Sequence, residues 1–327
     1  MNYRNYRNYL ILFGFLAPTA QAQSTSELQQ LLPQRPVLVV VPNAAGGPND
    51  IAARLVAPRL ADVVKQNFIV DNRASANGLT GTDYVAKATP NGTVLSVGNT
   101  GTHAINGSLY KKPLYDPVRD FAAVAPVMTG GLVLAIHAKL PVQNFREFVA
   151  YTKAQPGKTN AAVAGATGEI ATNAIKLMTG ASLNNVPYKG GIPAVIAVAA
   201  GESHMVLTNP SGVQPQIDSG RLRALAVTGA RRETSLPNVP TLQENGVDFT
   251  VDFWTGVFLP AQTPAKIVQA YAKEINRITA LPEVKDRLTG LGYLMMPGTP
   301  EEFSAIVKRD AERYRKIILE SKMQQLE

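Results

Sequence analysis

Val39-Val-Val-Pro-Asn-Ala-Ala-Gly-Gly-Pro-Asn-Asp50 is the stretch from which the rest of the chain is read. With the two residues before it, Val37–Val41 is a run of five apolar residues, four of them β-branched, as in a buried strand. The turn Asn43–Gly47 carries no side chain larger than that of Asn43, so its backbone is open to close approach. Pro48 suits a first helical turn, where its missing N–H costs nothing. Asp50 sits early enough to complement the positive helix end or to hold a water. The unpaired N–H groups at such a helix start form an anion site suited to a carboxylate or phosphate. A plain tight βα turn is the other reading of Gly46-Gly47, and spacing alone does not separate the two.

Upstream, Arg4 and Arg7 form a positive region, Leu10–Leu16 is mostly apolar, and Ala20-Gln-Ala22 offers a small-residue cleavage site. This is the pattern of a secretory leader, with the mature chain starting at Gln23. The apolar run is too short for a membrane span. There is no Cys among the 327 residues, which excludes disulfides, thiolate chemistry and a lipidated N-terminal Cys. An exported protein without disulfides needs a large core, and 45% apolar content supplies it. The formal charge is +8, and losing Arg4 and Arg7 with the leader leaves +6. The basic residues are dispersed and not interleaved with aromatics, which argues against nucleic-acid binding. His103, His137 and His204 are scattered and suggest no metal site.

Downstream, the grammar of strand, small-residue loop and helix repeats. Helix is expected over Asn49–Gln66, with Pro58 kinking it, then strand over Phe68–Val70, helix over Leu79–Ala88 and strand over Thr93–Val97. Asn99-Thr-Gly-Thr102 is a further small-residue loop, in which Thr100, Thr102 and His103 are placed to line a cleft. Thr102 also suits a helix cap, and His103 reads as a packed histidine with no partner acid or nucleophile. Strand runs follow at Ala122–Met128 and Leu132–Ile136, and Asn144 with Glu147 marks a capping box. A second series has strands at Thr159–Val163, Leu183–Val186, Met205–Leu207 and Leu222–Val227. Three of these lead into the loops Ala164–Gly168, Pro187–Gly191 and Thr208–Gly212. Phe249–Phe258 is a strand carrying the only Trp, Trp254. Thr299 with Glu302 caps a last helix with Phe303, Ile306, Val307, Tyr314, Ile317 and Ile318 on one face. Ser24–Gln34 reads as a polar lead. Alternating strands and helices imply mainly parallel sheets, with ligands beyond the strands' carboxyl ends.

Several strings resemble the Bug family of periplasmic solute receptors, relatives of the tricarboxylate-binding TctC proteins. They include V-P-N-A-A-G-G-P-N-D at Val41–Asp50, V-D-N-R-A-S-A-N-G-L-T-G at Val70–Gly81 and Y-D-P-V-R-D-F at Tyr115–Phe121. V-P-Y-K-G-G-I-P-A at Val186–Ala194, G-R-L-R-A-L-A-V-T at Gly220–Thr228 and W-T-G-V-F-L-P-A at Trp254–Ala261 continue the series in family order. The resemblance implies an α/β fold of two domains, the periplasmic-binding-protein or Venus flytrap fold, with crossovers near Ala122–Val127 and Phe249–Trp254. It divides the chain into a leader (1–22), a first domain (23–124 and 249–327) and a second (125–248).

The resemblance further implies a monomeric receptor, without cofactor or metal, for a small carboxylate or related organic anion. Such a receptor serves integral-membrane transporter subunits or acts as a ligand sensor. Backbone groups and ordered waters of the first loop and of facing loops would hold the ligand. The candidate binding set is Asn43, Ala44, Ala45, Gly46, Gly47, Asp50, Thr100 and Thr102 from the first domain. Gly165, Ala166, Thr167, Tyr188, Lys189, Gly190, Thr208 and Asn209 come from the second. Three departures from the family pattern bear on ligand identity. Asn43 stands where many members have an aromatic, Thr167 supplies the hydroxyl of a loop that commonly reads G-S-x-G, and Asn173 replaces a frequent His. Asn43 either donates to ligand or stabilises its own turn. Lys189 either clamps an anion or points to solvent, and Trp254 reads as hinge or core packing. An α/β enzyme acting on a small anion is the competing class. No G-x-S-x-G elbow, phosphate-binding G-x-x-x-x-G-K-[ST] or G-x-G-x-x-G turn supports it.

Overall fold

The computed structural model describes residues 25–320 and 325–327. The expected leader and its cleavage site lie outside them. The strands are β1 (Val37–Val41), β2 (Phe68–Asn72), β3 (Val94–Asn99), β4 (Phe121–Gly131), β5 (Val133–His137), β6 (Asn160–Ala164), β7 (Asn184–Tyr188), β8 (Met205–Thr208), β9 (Leu222–Val227), β10 (Asp252–Pro260) and β11 (Leu294–Met295). The helices are α1 (Glu27–Leu31), α2 (Pro48–Val64), α3 (Leu79–Ala86), α4 (Asn106–Leu109), α5 (Phe145–Ala154), α6 (Gly165–Thr179), α7 (Gly191–Ala200), α8 (Pro210–Asp218), α9 (Ala265–Thr279), α10 (Pro282–Gly290) and α11 (Pro300–Glu320). A π-helical turn, Gly101–Ile105, precedes α4.

Two sheets divide these strands. The first has the order β11-β4-β10-β3-β1-β2 and the second β7-β6-β8-β5-β9. β1 pairs in parallel with β2 and β3, and β6 with β7 and β8. The two-residue β11 runs antiparallel to β4 at the edge of the first sheet, and each sheet also holds one longer reversed strand: β10 is antiparallel to β3 and β4, and β5 is antiparallel to β8 and β9. Both are the strands that enter a sheet from the other one. Strands such as β1 and β6 end at the crossover side, so a strand that starts there must run the opposite way. Repeating strand–helix blocks predict the parallel pairs; they carry no signal for these reversals.

The first crossover lies between Gly131 and Val133, later than Ala122–Val127, because β4 stays in the first sheet through all eleven of its residues. Thr228 ties the two crossing segments together. Its Oγ1 accepts from the Leu132 N–H and donates to the Val251 carbonyl, both at 2.8 Å. Glu233 Oε1 accepts the Gly131 N–H at 2.6 Å.

The N-terminal lead is a helix. Ser26 Oγ accepts from the Gln29 N–H, capping α1, and Leu28 and Leu32 are buried. Two leucines among glutamines suffice because α2 and α9 offer an apolar seat. α2 continues through Pro58. Thr299 and Glu302 form a full capping box, Thr299 Oγ1 accepting from Glu302 N and Glu302 from Thr299 N, while Asn144 Oδ1 accepts from Glu147 N and the Glu147 carboxylate turns to the N–H of Gln143 instead of that of Asn144. On α11, Phe303, Val307, Tyr314 and Ile318 are buried. Phe303 meets Trp254 edge-on at 5.2 Å. Each fully buried side chain of this size contributes roughly 1.5–3 kcal/mol, so α11 is anchored across the first sheet. Trp254 is itself core, donating from Nε1 to Asp310 Oδ2 at 2.8 Å. His103 is also core, stacked on Phe258 at 3.7 Å, and burial drives its pKa down to about 3, so it is neutral.

Candidate functional site

The loops at the strand ends meet between the two sheets around a cavity of about 60 Å³. A water needs roughly 10–15 Å³ of such space, so the cavity takes a few waters or a small ligand. Loops on the side of the first sheet contribute Asn43, Ala44, Gly47, Pro48, Asn49, Asn77, Asn99, Gly101 and Thr102. Loops on the side of the second sheet contribute Ala164–Gly168, Gly190–Ile192 and Leu207–Asn209, and Leu132 and Phe253 come from the crossover segments. None of these residues is charged. The starts of α2, α6, α7 and α8 all border the cavity. Each presents unpaired N–H groups and the positive end of a helix dipole.

The walls approach closely on two sides. A methyl group at Gly190 would stand 3.4 Å from Ala44 Cβ, and one at Gly101 would stand 3.2 Å from Thr167 Oγ1. Asn77 Nδ2 donates to Tyr110 OH at 3.0 Å and reaches Glu169 Oε2 across the cleft at 3.5 Å. Ser211 Oγ and Tyr293 OH lie 2.6 Å apart on the crossover side. Burial pushes the Glu169 carboxyl upward against the Asn77 bond, and burial likewise raises Glu233.

An asparagine network sets the polarity of the wall on the side of the first sheet. Asn49 is buried and donates from Nδ2 to the Val97 carbonyl at 2.7 Å. Its Oδ1 accepts from Asn99 Nδ2 at 2.9 Å. Asn99 Oδ1 accepts the Thr102 N–H at 3.0 Å, and Thr102 Oγ1 accepts the Asn99 N–H at 2.9 Å. Asn99 Nδ2 also faces Asn43 Oδ1 at 3.5 Å, and Asn43 lines the cavity. Asn77 holds a left-handed backbone (φ 51), a conformation asparagine tolerates better than most residues.

Of the candidate residues, Asn43, Ala44, Gly47, Thr102, Gly165, Ala166, Thr167, Gly190, Thr208 and Asn209 line the cavity. Six do not. Ala45 and Gly46 are exposed at the tip of the turn; Gly46 has φ +80, and a methyl group added there would stand 3.9 Å from Ile192. Asp50 points back into its own loop. Its Oδ2 accepts the Gly46 N–H at 2.9 Å, and Arg54 Nε lies 3.0 Å from both carboxylate oxygens. Burial pushes the Asp50 carboxyl upward, but the bonds from Arg54, Gly46 and Asn72 outweigh it and hold the group below the usual carboxylate range. Thr100 is tied to the second crossover, accepting the Trp254 N–H at 2.9 Å. Tyr188 is half-buried at the end of β7, and Lys189 is exposed. Asn49, Asn77 and Asn99 escaped the sequence reading although they stand within or beside its quoted loops; an asparagine among small residues was the available signal. Leu132 and Phe253 had none, since only the crossovers bring them here. Among the described residues no group of three or more His, Asp or Glu side chains is placed to hold a metal ion. No described helix is long and apolar enough to cross a membrane.

Two sheet-based lobes bring helix starts around a cavity that no charged side chain lines, an arrangement suited to holding a small solute. The model of the tripartite tricarboxylate transporter family receptor, TctC, matches residues 52–323, and the chain belongs to that family. It is 32% identical to the protein BugT of Bordetella pertussis, over 88% of this chain and 90% of the relative. Among solved structures, MatC from Rhodopseudomonas palustris with bound malate superposes with a TM-score of 0.84 at 30% identity, covering 88% of this chain and all of that one. An R. palustris protein with adipate gives 0.84 at 31% identity, covering 89% and 98%.

Proposed function

We propose that this protein is the periplasmic receptor of a tripartite tricarboxylate-type transporter and that it captures a small organic carboxylate between its lobes. One observation carries the reading: four helix starts converge on a cavity that no charged side chain lines. Such a site binds an anion through main-chain N–H groups, the Asn43 amide, the Thr167 hydroxyl and water, and no bound positive side chain has to be desolvated with it. The relatives solved with malate and adipate carry ligands of this chemistry. In this reading the chain loses a leader after Ala22 and acts as a monomer. The lobes close about the Gly131–Val133 and Val251–Asp252 segments, and the closed receptor is presented to integral-membrane transporter subunits.

Thermal-shift measurements of the mature protein with a panel of carboxylic acids test the reading. A ligand that binds the folded state raises the midpoint with its concentration and is recovered unchanged. Absence of any shift across mono-, di- and tricarboxylates at millimolar concentration would refute it. Small-angle scattering with the best ligand should show a smaller radius of gyration than without it.

A further inference from the structure

The turn between α10 and β11 belongs to the first lobe and is fitted into the second. Tyr293 is 1% exposed, and its hydroxyl lies 2.6 Å from Ser211 Oγ at the start of α8. Burial pushes the Tyr293 phenol up, so it keeps a proton for that bond. Beside it, a methyl group at Gly292 would stand 2.9 Å from both Pro210 Cβ and Ser235 Oγ. This left-handed glycine (φ +81) thus sits in a notch of the second lobe with no room for a side chain. The notch adjoins the first crossover. A methyl group at Gly130, next to the end of β4, would stand 3.6 Å from the Gly292 carbonyl and from Tyr293 Cδ1.

Sheet order ranks the helix starts of the second lobe by how far they travel. β8 adjoins β5, the strand that enters from the crossover, whereas β6 is two strands away and β7 three. At about 4.8 Å per strand, the α7 start after β7 is roughly three times as far from β5 as the α8 start after β8. Displacement in a rotation grows with distance from the axis, so closure about the crossovers sweeps α7 furthest and α8 least. The Tyr293–Ser211 bond adds a tether where that motion is smallest.

We propose that Tyr293 is a positioning residue for the ligand site. Through Ser211 it holds the α8 start in register with the loops of the first lobe before a ligand arrives, and α6 and α7 then close onto this preassembled half. This rests on the carboxylate-receptor reading above. Neither Tyr293 nor Ser211 lines the cavity, so their effect on binding passes through the helix they hold.

The chain has no cysteine, so spin-label pairs can be introduced without background. Leu294→Cys with Asp218→Cys reports α8 against the first lobe, and Ile69→Cys with Ile196→Cys reports the outer edges of the two lobes; all four side chains are exposed. Pulsed electron paramagnetic resonance should show adipate shortening the outer distance and leaving the α8 distance unchanged. In Tyr293→Phe, which keeps the ring, the α8 distribution should broaden without ligand. Adipate affinity by calorimetry should fall about 2- to 10-fold, the effect of one hydrogen bond. Ser211→Ala should give the same loss, and the double variant no more. A tyrosine that only packs would lower the unfolding midpoint and leave distances and affinity alone. That result, or an α8 distance that shifts with adipate as far as the outer one, overturns the role of Tyr293 and leaves the receptor reading standing. If wild type binds no acid of the panel above, the receptor reading fails and the ligand-site role of Tyr293 falls with it.

Discussion

Gly191 opens α7 directly against Thr208. A methyl group at Gly191 would lie 2.4 Å from Thr208 Oγ1, a separation that carbon and oxygen do not tolerate, whereas the next atom, Thr208 Cβ, stands at 3.6 Å, an ordinary contact. Gly191→Ala therefore forces one of two responses. Either α7 shifts, at the roughly 1–3 kcal/mol typical of overpacking, or Thr208 turns its side chain into the cavity and the cost appears in ligand affinity. Thr208→Ala alone removes one methyl and a hydroxyl from a buried position and should cost about 1 kcal/mol. In the double variant nothing lies within 3.6 Å of the new methyl on that side. Its stability and affinity should thus match those of Thr208→Ala, a favourable coupling of about 1–3 kcal/mol. Urea denaturation followed by circular dichroism reads the stability arm, and titration with adipate reads the affinity arm. Effects that add to within about 0.5 kcal/mol in both arms, as independent sites do, would refute the claim that this glycine is required by the Thr208 hydroxyl.

Asp50→Ala should lower stability by about 1–3 kcal/mol through loss of its charge-assisted bonds to Gly46 and Arg54. Because the folded Asp50 carboxyl titrates below its usual value, this contribution is fully present above the unfolded pKa and is lost as pH falls through the folded one. The gap between wild type and variant should accordingly be complete at pH 7 and shrink below about pH 4; a constant gap in denaturation curves down to pH 2 contradicts this. Lys189→Ala should change ligand affinity less than about twofold, since the side chain is exposed and off the cavity wall; a hundredfold loss in calorimetry would restore the charged-clamp alternative. Trp254→Phe takes a donor from the buried Asp310 carboxylate and should cost about 1–3 kcal/mol in chemical denaturation. An unchanged midpoint would mean that Arg309, which also bonds Asp310, satisfies it alone.

Signals spanning a few residues were decisive wherever local geometry is the whole requirement. The β-branched run Val37–Val41 ahead of Gly46-Gly47-Pro48 specifies a strand, a turn and a helix start by dihedral preference alone. Asn144 with Glu147, and Thr299 with Glu302, need only a three-residue spacing to close their caps. Family strings spread along the chain carried the fold further than periodicity does. Tertiary structure decided the rest. Only the passage of the chain between sheets fixes β5 and β10 as reversed strands, because direction depends on which end of a strand meets the crossover. Asp50 shares a loop with Asn43 but is captured by Arg54 one helical turn on, so it braces the loop from behind and Asn43 faces the cavity. In chain order Leu132, Asn209 and Phe253 lie 77 and then 44 positions apart. They become neighbours around one cavity through long-range pairing, and no periodicity within a segment encodes a contact of that kind.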